Sequence, residues 1–249
     1  MTKALLQMND VVAGYEQGLP IVRGVSFTAS GGEIVAILGP NGAGKSTFIK
    51  AVAGLLSVDA GTMVLTGHDI TYMSAHLRAR AGLAYVPQLH NVFATLTVLD
   101  HLKIGATLLP PAARKTQIEA SLTLFPDLAR QRHVLAGRLS GGQRQLLSIA
   151  RAVLTQPAVL LLDEPSAGLS PRMVEQVFAQ LVKIRAGGIA VVLVEQHVKA
   201  TLAIADRAYV LVEGEVAYAG PAAALQNKNT LAALYLNHAH RPSATTGAP

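Results

Sequence analysis

Three short stretches of the chain are apolar almost without interruption: "EIVAIL" at 33–38, "AVLLLD" at 158–163 and "IAVVLV" at 189–194. Runs without alternation predict strands covered on both faces, as in a parallel sheet flanked by helices. Segments of helical spacing lie between them, so the pattern as a whole predicts an α/β fold. Ahead of the first run, residues 5–15 and 21–30 alternate in part and are separated by a turn containing Gly18 and Pro20. They predict a small antiparallel edge sheet. From about Gln88 to Ala136 the strand pattern stops. Residues 97–109 and 113–125 carry helical periodicity, broken at Pro110–Pro111 and Pro126, and predict a helical insert. The tail from about His238, "HAHRPSATTGAP", is small and polar. Disorder is expected there, with its His-x-His a frayed end rather than a metal site. No internal repeat is evident.

Composition narrows the function classes. With 249 residues, 51% of them hydrophobic, the chain can bury a large core. Cysteine is absent, which excludes disulfides, thiolate nucleophiles and cysteine zinc sites and fits a reducing compartment. The start lacks a signal-peptide pattern and no run of about 18 apolar residues occurs, so neither export nor membrane spanning is expected. The net charge is +6, yet charged residues make up only 14% and the basic ones are scattered, densest at 78–80 and 129–133. Aromatics are 4% and tryptophan is absent. A solvated basic surface is expected, not a nucleic-acid partner.

Three motifs carry chemistry. "GPNGAGKST" (Gly39, Pro40, Asn41, Gly42, Ala43, Gly44, Lys45, Ser46, Thr47) fits G-x-x-x-x-G-K-[ST] between a buried strand and a helix ending near Gly54. A glycine-rich turn needs none of that context. A phosphate cradle does: its N–H groups meet phosphate oxygens, Lys45 reaches the β- and γ-phosphates, and the Ser46 hydroxyl ligates Mg²⁺. Such a loop serves kinases, GTPases and motors alike. "VLLLDEP" adds Asp163 at a strand end, placed to hold Mg²⁺ through water, and Glu164 as general base or water-positioner. In "LSGGQ" (Leu139, Ser140, Gly141, Gly142, Gln143), Ser140 and Gln143 form a capping box before a helix with an apolar face of Leu146, Ile149, Ala150, Val153 and Leu154. Two glycines in its first turn, each costing about 1 kcal/mol against alanine, are unexplained by capping. Bare N–H groups there predict a second phosphate site.

On these motifs, in this order, the chain resembles the ATP-binding-cassette (ABC) ATPase family, whose signature is this "LSGGQ" about twenty residues before the Asp-Glu strand. The resemblance implies an α/β P-loop NTPase, RecA-like core over residues 1–237, with an antiparallel β subdomain and a helical subdomain inserted at about 88–155. It implies Tyr15 stacking on adenine, and Gln88 sensing Mg²⁺ and the attacking water. Two cassettes would meet head to tail, the signature of one closing on the γ-phosphate at the P-loop of the other. "HLRARAGLAYVPQ", "LTVLDHL", "LLLDEPSAGLSP" and "VLVEQHVKATLAIADRAYVL" resemble the second ATPase subunit of bacterial branched-chain (hydrophobic) amino-acid importers or their urea and amide relatives. Ser170 replaces an aspartate of the wider family and is expected as an N-cap, with Pro171 at the first helical position. The family's γ-phosphate histidine falls ten residues before the aspartate of Ala205-Asp206-Arg207, which is Gln196 here. His197 is one position off, and adjacent residues on extended chain face opposite ways, so Gln196 is the expected contact.

The implied protein is an Mg²⁺- and ATP-dependent energy-coupling subunit, peripheral on the cytoplasmic face of the cell membrane. It would associate with permease subunits, with a second ABC ATPase (a homo- or heterodimer) and, indirectly, with a solute-binding protein. A soluble ABC ATPase of nucleic-acid or ribosome metabolism is the alternative. Such proteins commonly carry two cassettes or a long coiled-coil insertion, and neither pattern occurs here.

Overall fold

A computed structural model describes residues 4–88, 92–227, 230–231 and 233–235. The apolar runs form β3 (Ile34–Leu38), β7 (Val159–Asp163) and β8 (Ala190–Val194), and every residue in all three is buried. They lie in a six-stranded sheet with β6 (Leu83–Val86), β9 (Arg207–Val212) and β10 (Glu215–Pro221), ordered β10-β9-β3-β8-β7-β6. The β3–β8, β3–β9, β6–β7 and β7–β8 pairs are parallel, and β10 closes one edge antiparallel to β9.

A separate antiparallel sheet has the order β2-β1-β4-β5. It contains β1 (Ala4–Ala13) and β2 (Val22–Ser30), which the alternation predicted, and β4 (Val58–Leu65) and β5 (His68–Asp69), which it did not. Strand side chains alternate strictly between layers. Val35, Ile37, Val159, Leu161, Val192 and Val194 pack with the antiparallel sheet and α1 (Lys45–Val52). Ile34, Leu160, Leu162, Val191 and Leu193 pack on the other face against α6 (Gly141–Val153) and α7 (Pro171–Ala186). This period of two decides which polar residues at the strand ends can reach the loop before α1.

Between β6 and β7 the chain is helical: α3 (Val98–Gly105), α4 (Pro111–Leu124), α5 (Pro126–Arg130) and α6. Pro111 and Pro126 break the pattern by opening α4 and α5 at their first turn, where no N–H partner is lost. Ser170 caps α7 by position, but its side chain makes no capping bond. The short α2 (Ala75–Arg80) precedes β6, and α8 (Val198–Ile204) follows β8. The tail from 238 lies outside the described residues.

Arg78 of α2 joins the two sheets. Its guanidinium, 1% exposed, donates to the carbonyls of Met73 (2.9 Å), Ala51 and Val52 (2.7 Å each) and Thr71 (2.9 Å). Ala51 and Val52 end α1, so a buried cation sits at the negative end of that helix. Desolvation pulls its pKa down to about 10, which leaves it charged at neutral pH. Arg78→Met strands these carbonyls, a cost on the order of 3 kcal/mol. At ~2–4 °C per kcal/mol for a domain of this size, scanning calorimetry should read a Tm about 6–12 °C lower.

Candidate active site

The loop between β3 and α1 wraps through glycine-only conformations. Gly44, the residue before α1, has φ 93°, and a Cβ on Gly39 would collide with the Leu211 carbonyl. Helix α1 has no side-chain cap and no acidic residue in its first turn, so its leading N–H groups are available to an anion. Lys45 folds back over the loop, its Nζ 2.9 Å from both the Gly39 and Pro40 carbonyls. Burial lowers its pKa, against the raising effect of Glu164 and Asp163. A cavity of about 360 Å³ opens here, lined by Ile21, the 41–47 loop, Glu164 and Gln196. A larger one, about 710 Å³, lies between α8 and Leu225, Gln226, Leu231 and Tyr235 but is mainly apolar.

Asp163 faces this side because it continues the series Val159, Leu161. Alternation would turn Glu164 away, but its backbone adopts a left-handed φ of 47°. The Glu164 carboxylate then accepts from Gln88 Nε2 (3.0 Å) on Oε2 and from Gln196 Nε2 (2.8 Å) on Oε1. Four of the residues singled out in the sequence, Gln88, Asp163, Glu164 and Gln196, thus end up around Lys45. His197 is exposed, lines no part of the loop cavity and opens α8 as its N-cap residue.

Burial is the main cause holding the Asp163 pKa above its ordinary 3.8, and the Glu164 charge adds to it. The Tyr85 hydroxyl, 3.5 Å away, donates to Asp163 Oδ2, while Oδ1 is buried with no hydrogen-bond partner. A buried carboxylate oxygen without a donor is what a hydrated cation would satisfy. Among the described residues no three His, Asp or Glu side chains could hold a metal by themselves. A cation here therefore depends on the ligand's own oxygens, with Ser46 and Asp163 at its flank.

Tyr15 lies two residues past β1 rather than in an edge strand, and it is exposed. Its hydroxyl accepts from Lys50 Nζ at 3.1 Å, and that ammonium stands 5.5 Å from the ring centre. The "LSGGQ" residues are apart from the loop cavity altogether. Ser140 Oγ accepts from Gln143 N–H (3.2 Å) and Gln143 Oε1 from Ser140 N–H (2.9 Å), closing the capping box. Gly141 is exposed. Gly142 is buried, and an added Cβ would run into the Met173 side chain of α7. Close packing on Met173 is thus a second reason for a glycine at 142, beside the phosphate role expected of both.

Residues 22–167 match the family model described as ABC transporter. The chain belongs to the ABC transporter ATPase family. It is 44% identical over 84% of its length, and 89% of the relative's, to a probable branched-chain amino acid transport ATP-binding protein, LivF, of Archaeoglobus fulgidus. The corresponding figures are 36%, 91% and 97% for the high-affinity branched-chain amino acid transport ATP-binding protein BraG of Pseudomonas aeruginosa. They are 34%, 91% and 95% for the lipopolysaccharide export system ATP-binding protein LptB of Escherichia coli. In structure, the ADP conformation of MJ1267, an ATP-binding cassette of an ABC transporter, superposes with a TM-score of 0.83 at 26% identity, covering 94% of this chain and 99% of that one. The protein is an ATP-hydrolysing enzyme and the ATPase subunit of a transporter, with membrane permeases as partners. No helix among the described residues is long and apolar enough to cross a membrane.

Three residues of this ABC ATPase site escaped the sequence reading: Tyr85 on Asp163, Lys50 on Tyr15, and Glu195, 1% exposed beside Gln196. Glu195 carried a signal, being a carboxylate directly after an all-buried strand. The strain at Asp163 is testable. Its folded pKa exceeds the unfolded 3.8, so the native state keeps a proton that the unfolded chain has lost. Stability falls as pH rises through that window and stays lower at neutral pH. Asp163→Asn, without nucleotide at neutral pH, should raise Tm by about 2–4 °C, with the gain shrinking below pH 4. Scanning fluorimetry across pH reads both.

Proposed function

We propose that this subunit powers uptake of branched-chain or other hydrophobic amino acids, or of a related small polar solute such as urea or an amide, from the cytoplasmic face of the cell membrane. Support for the solute class is the 44% identity to a protein named for branched-chain amino acid transport. Support for the chemistry is one observation: a carboxylate, Glu164, held by two amide side chains at the mouth of the loop cavity.

ATP phosphates take the place of the Gly39 and Pro40 carbonyls as partners of Lys45, and the α1 N-terminus holds their charge. Tyr15 leaves Lys50 to stack on the adenine. Mg²⁺ would be held by the Ser46 hydroxyl, Asp163 and Gln88, and would supply charge neutralisation at the phosphates. Glu164 accepts the proton of the attacking water while Gln196 turns its amide toward the γ-phosphate. The Gly141 end of α6 serves the nucleotide of a second ABC ATPase, identical or related, so closure needs two chains. The helical region of about 88–155, opened by Gln88, carries the motion to the permeases, and a solute-binding protein delivers cargo to them from outside. Identity of 34% to LptB supports a second reading, an export system. Affinity purification from native membranes separates the two by the permeases and solute-binding protein recovered.

Glu164→Gln should keep Mg-ATP binding and lose nearly all turnover, accumulating a closed ATP-bound dimer on size-exclusion chromatography. Near-parent hydrolysis would remove Glu164 from its assigned role. Gly141→Asp places a carboxylate where the partner's γ-phosphate docks, at an exposed position where an added Cβ makes only ordinary contacts with Leu169 and Arg144. Turnover should collapse while equilibrium ATP binding to the isolated subunit stays within about twofold. In the assembled complex, Gln196→Ala should slow turnover about tenfold to a thousandfold and His197→Ala far less. Gln196→His should stay active and acquire a pH dependence near about 6.5 that the parent lacks.

A further inference from the structure

The geometry points to Glu195 as a positioning residue for ATP hydrolysis, one that locks Gln196 and the segment after Glu164 into a single unit through two backbone hydrogen bonds. The inference rests on the roles proposed above for Glu164 and Gln196. Glu195 follows β8, and alternation from Val194 sends its side chain away from the α1 face and toward the layer of α7. It is 1% exposed, and among the described residues no basic side chain pairs with it: Oε1 accepts from Ser166 N–H at 2.9 Å and Oε2 from Gln196 N–H at 3.1 Å. Desolvating a carboxylate is costly, and two backbone donors are what hold it there.

Those two donors belong to different pieces of the site. Gln196 bonds Glu164 from β8, whereas Ser166 lies two residues beyond Glu164 on the chain leaving β7. Glu164 N–H also donates to the Val194 carbonyl at 2.9 Å. Two cross-strand ties therefore flank Glu164, one of backbone and one made by the Glu195 side chain. Between them Glu164 holds its left-handed backbone with its carboxylate 2.8 Å from the Gln196 amide. With the Glu195 tie lost, the Gln196 backbone is released from the Ser166 segment, and its side chain loses the fixed origin from which it reaches Glu164 at rest and the γ-phosphate in turnover.

Glu195→Gln tests this, because the isosteric amide has one acceptor for two N–H donors and turns its own NH₂ against the other. In the full-length chain assembled in its transporter, turnover at saturating Mg-ATP should fall about tenfold. The Kd for the fluorescent analogue TNP-ATP should stay within twofold of the parent. A fold-wide disturbance also slows turnover, so the deciding readout is the double variant. If Glu195 acts through Gln196, then Glu195→Gln in a Gln196→Ala background should cost less than a further twofold. A full further tenfold loss, or a single variant at the parent rate, overturns the inference. A Gln196→Ala variant at the parent rate overturns it together with the role of Gln196. Loss of turnover in Glu164→Gln in the same assay shows that the rest of the site reading still stands. If Glu195→Gln does not fold, Glu195→Asp runs the same cycle: its shorter chain keeps the charge and gives up the reach to Ser166.

Discussion

Parallel strands all end at one edge of their sheet, and whatever chemistry this chain performs is built where β3, β7 and β8 stop together. At that edge the ladder runs out, backbone donors and acceptors need new partners, and polar side chains become affordable next to an apolar interior. β3 hands over to the glycine loop and α1, β7 to Asp163 and Glu164, β8 to Glu195 and Gln196. Their paired register, Asp163 beside Val194 and Ile37 beside Val194, fixes how far each polar residue stands from the others. Moving one strand by a single residue would exchange every inward residue for an outward one and dissolve the site.

The same edge concentrates unfavourable states. Asp163 is a desolvated carboxylate with a partnerless oxygen, Lys45 is a desolvated ammonium satisfied by its own loop, and Glu164 sits in a backbone region that non-glycine residues rarely occupy. The first two are costs that a bound Mg-nucleotide, in the roles proposed above, would relieve. Stability withheld from the nucleotide-free form is available as binding energy, and in a cassette that closes on its substrate this difference drives the change of shape.

Much of this was legible because it is local. The strand-loop-helix context of Gly39–Thr47, the capping box at Ser140 and Gln143, and the strands at 33–38, 158–163 and 189–194 each depend on a dozen residues or fewer. What escaped depends on distant ones. "LAYV" and "RAYVLV" are too short and mixed to reveal β6 and β9 until their neighbours are known. The packing of Met173 against Gly142 could not be read, because Met173, thirty-one residues on, is invisible from its sequence neighbourhood. Gln196 was found by counting from Asp206. Glu195 was passed over because nothing near it announces the Ser166 N–H that it serves.

Arg78 sets where such a machine can bend. By fastening the last carbonyls of α1 to the segment between β4 and α2, it welds the phosphate cradle to the antiparallel sheet. A hinge cannot run through a weld. On the opposite flank α6 is packed on the main sheet, whereas α3, α4 and α5 reach that sheet through α6. A load applied at the α1 end of the molecule thus meets a braced sheet on one side and, on the other, helices joined to it through a single packed helix.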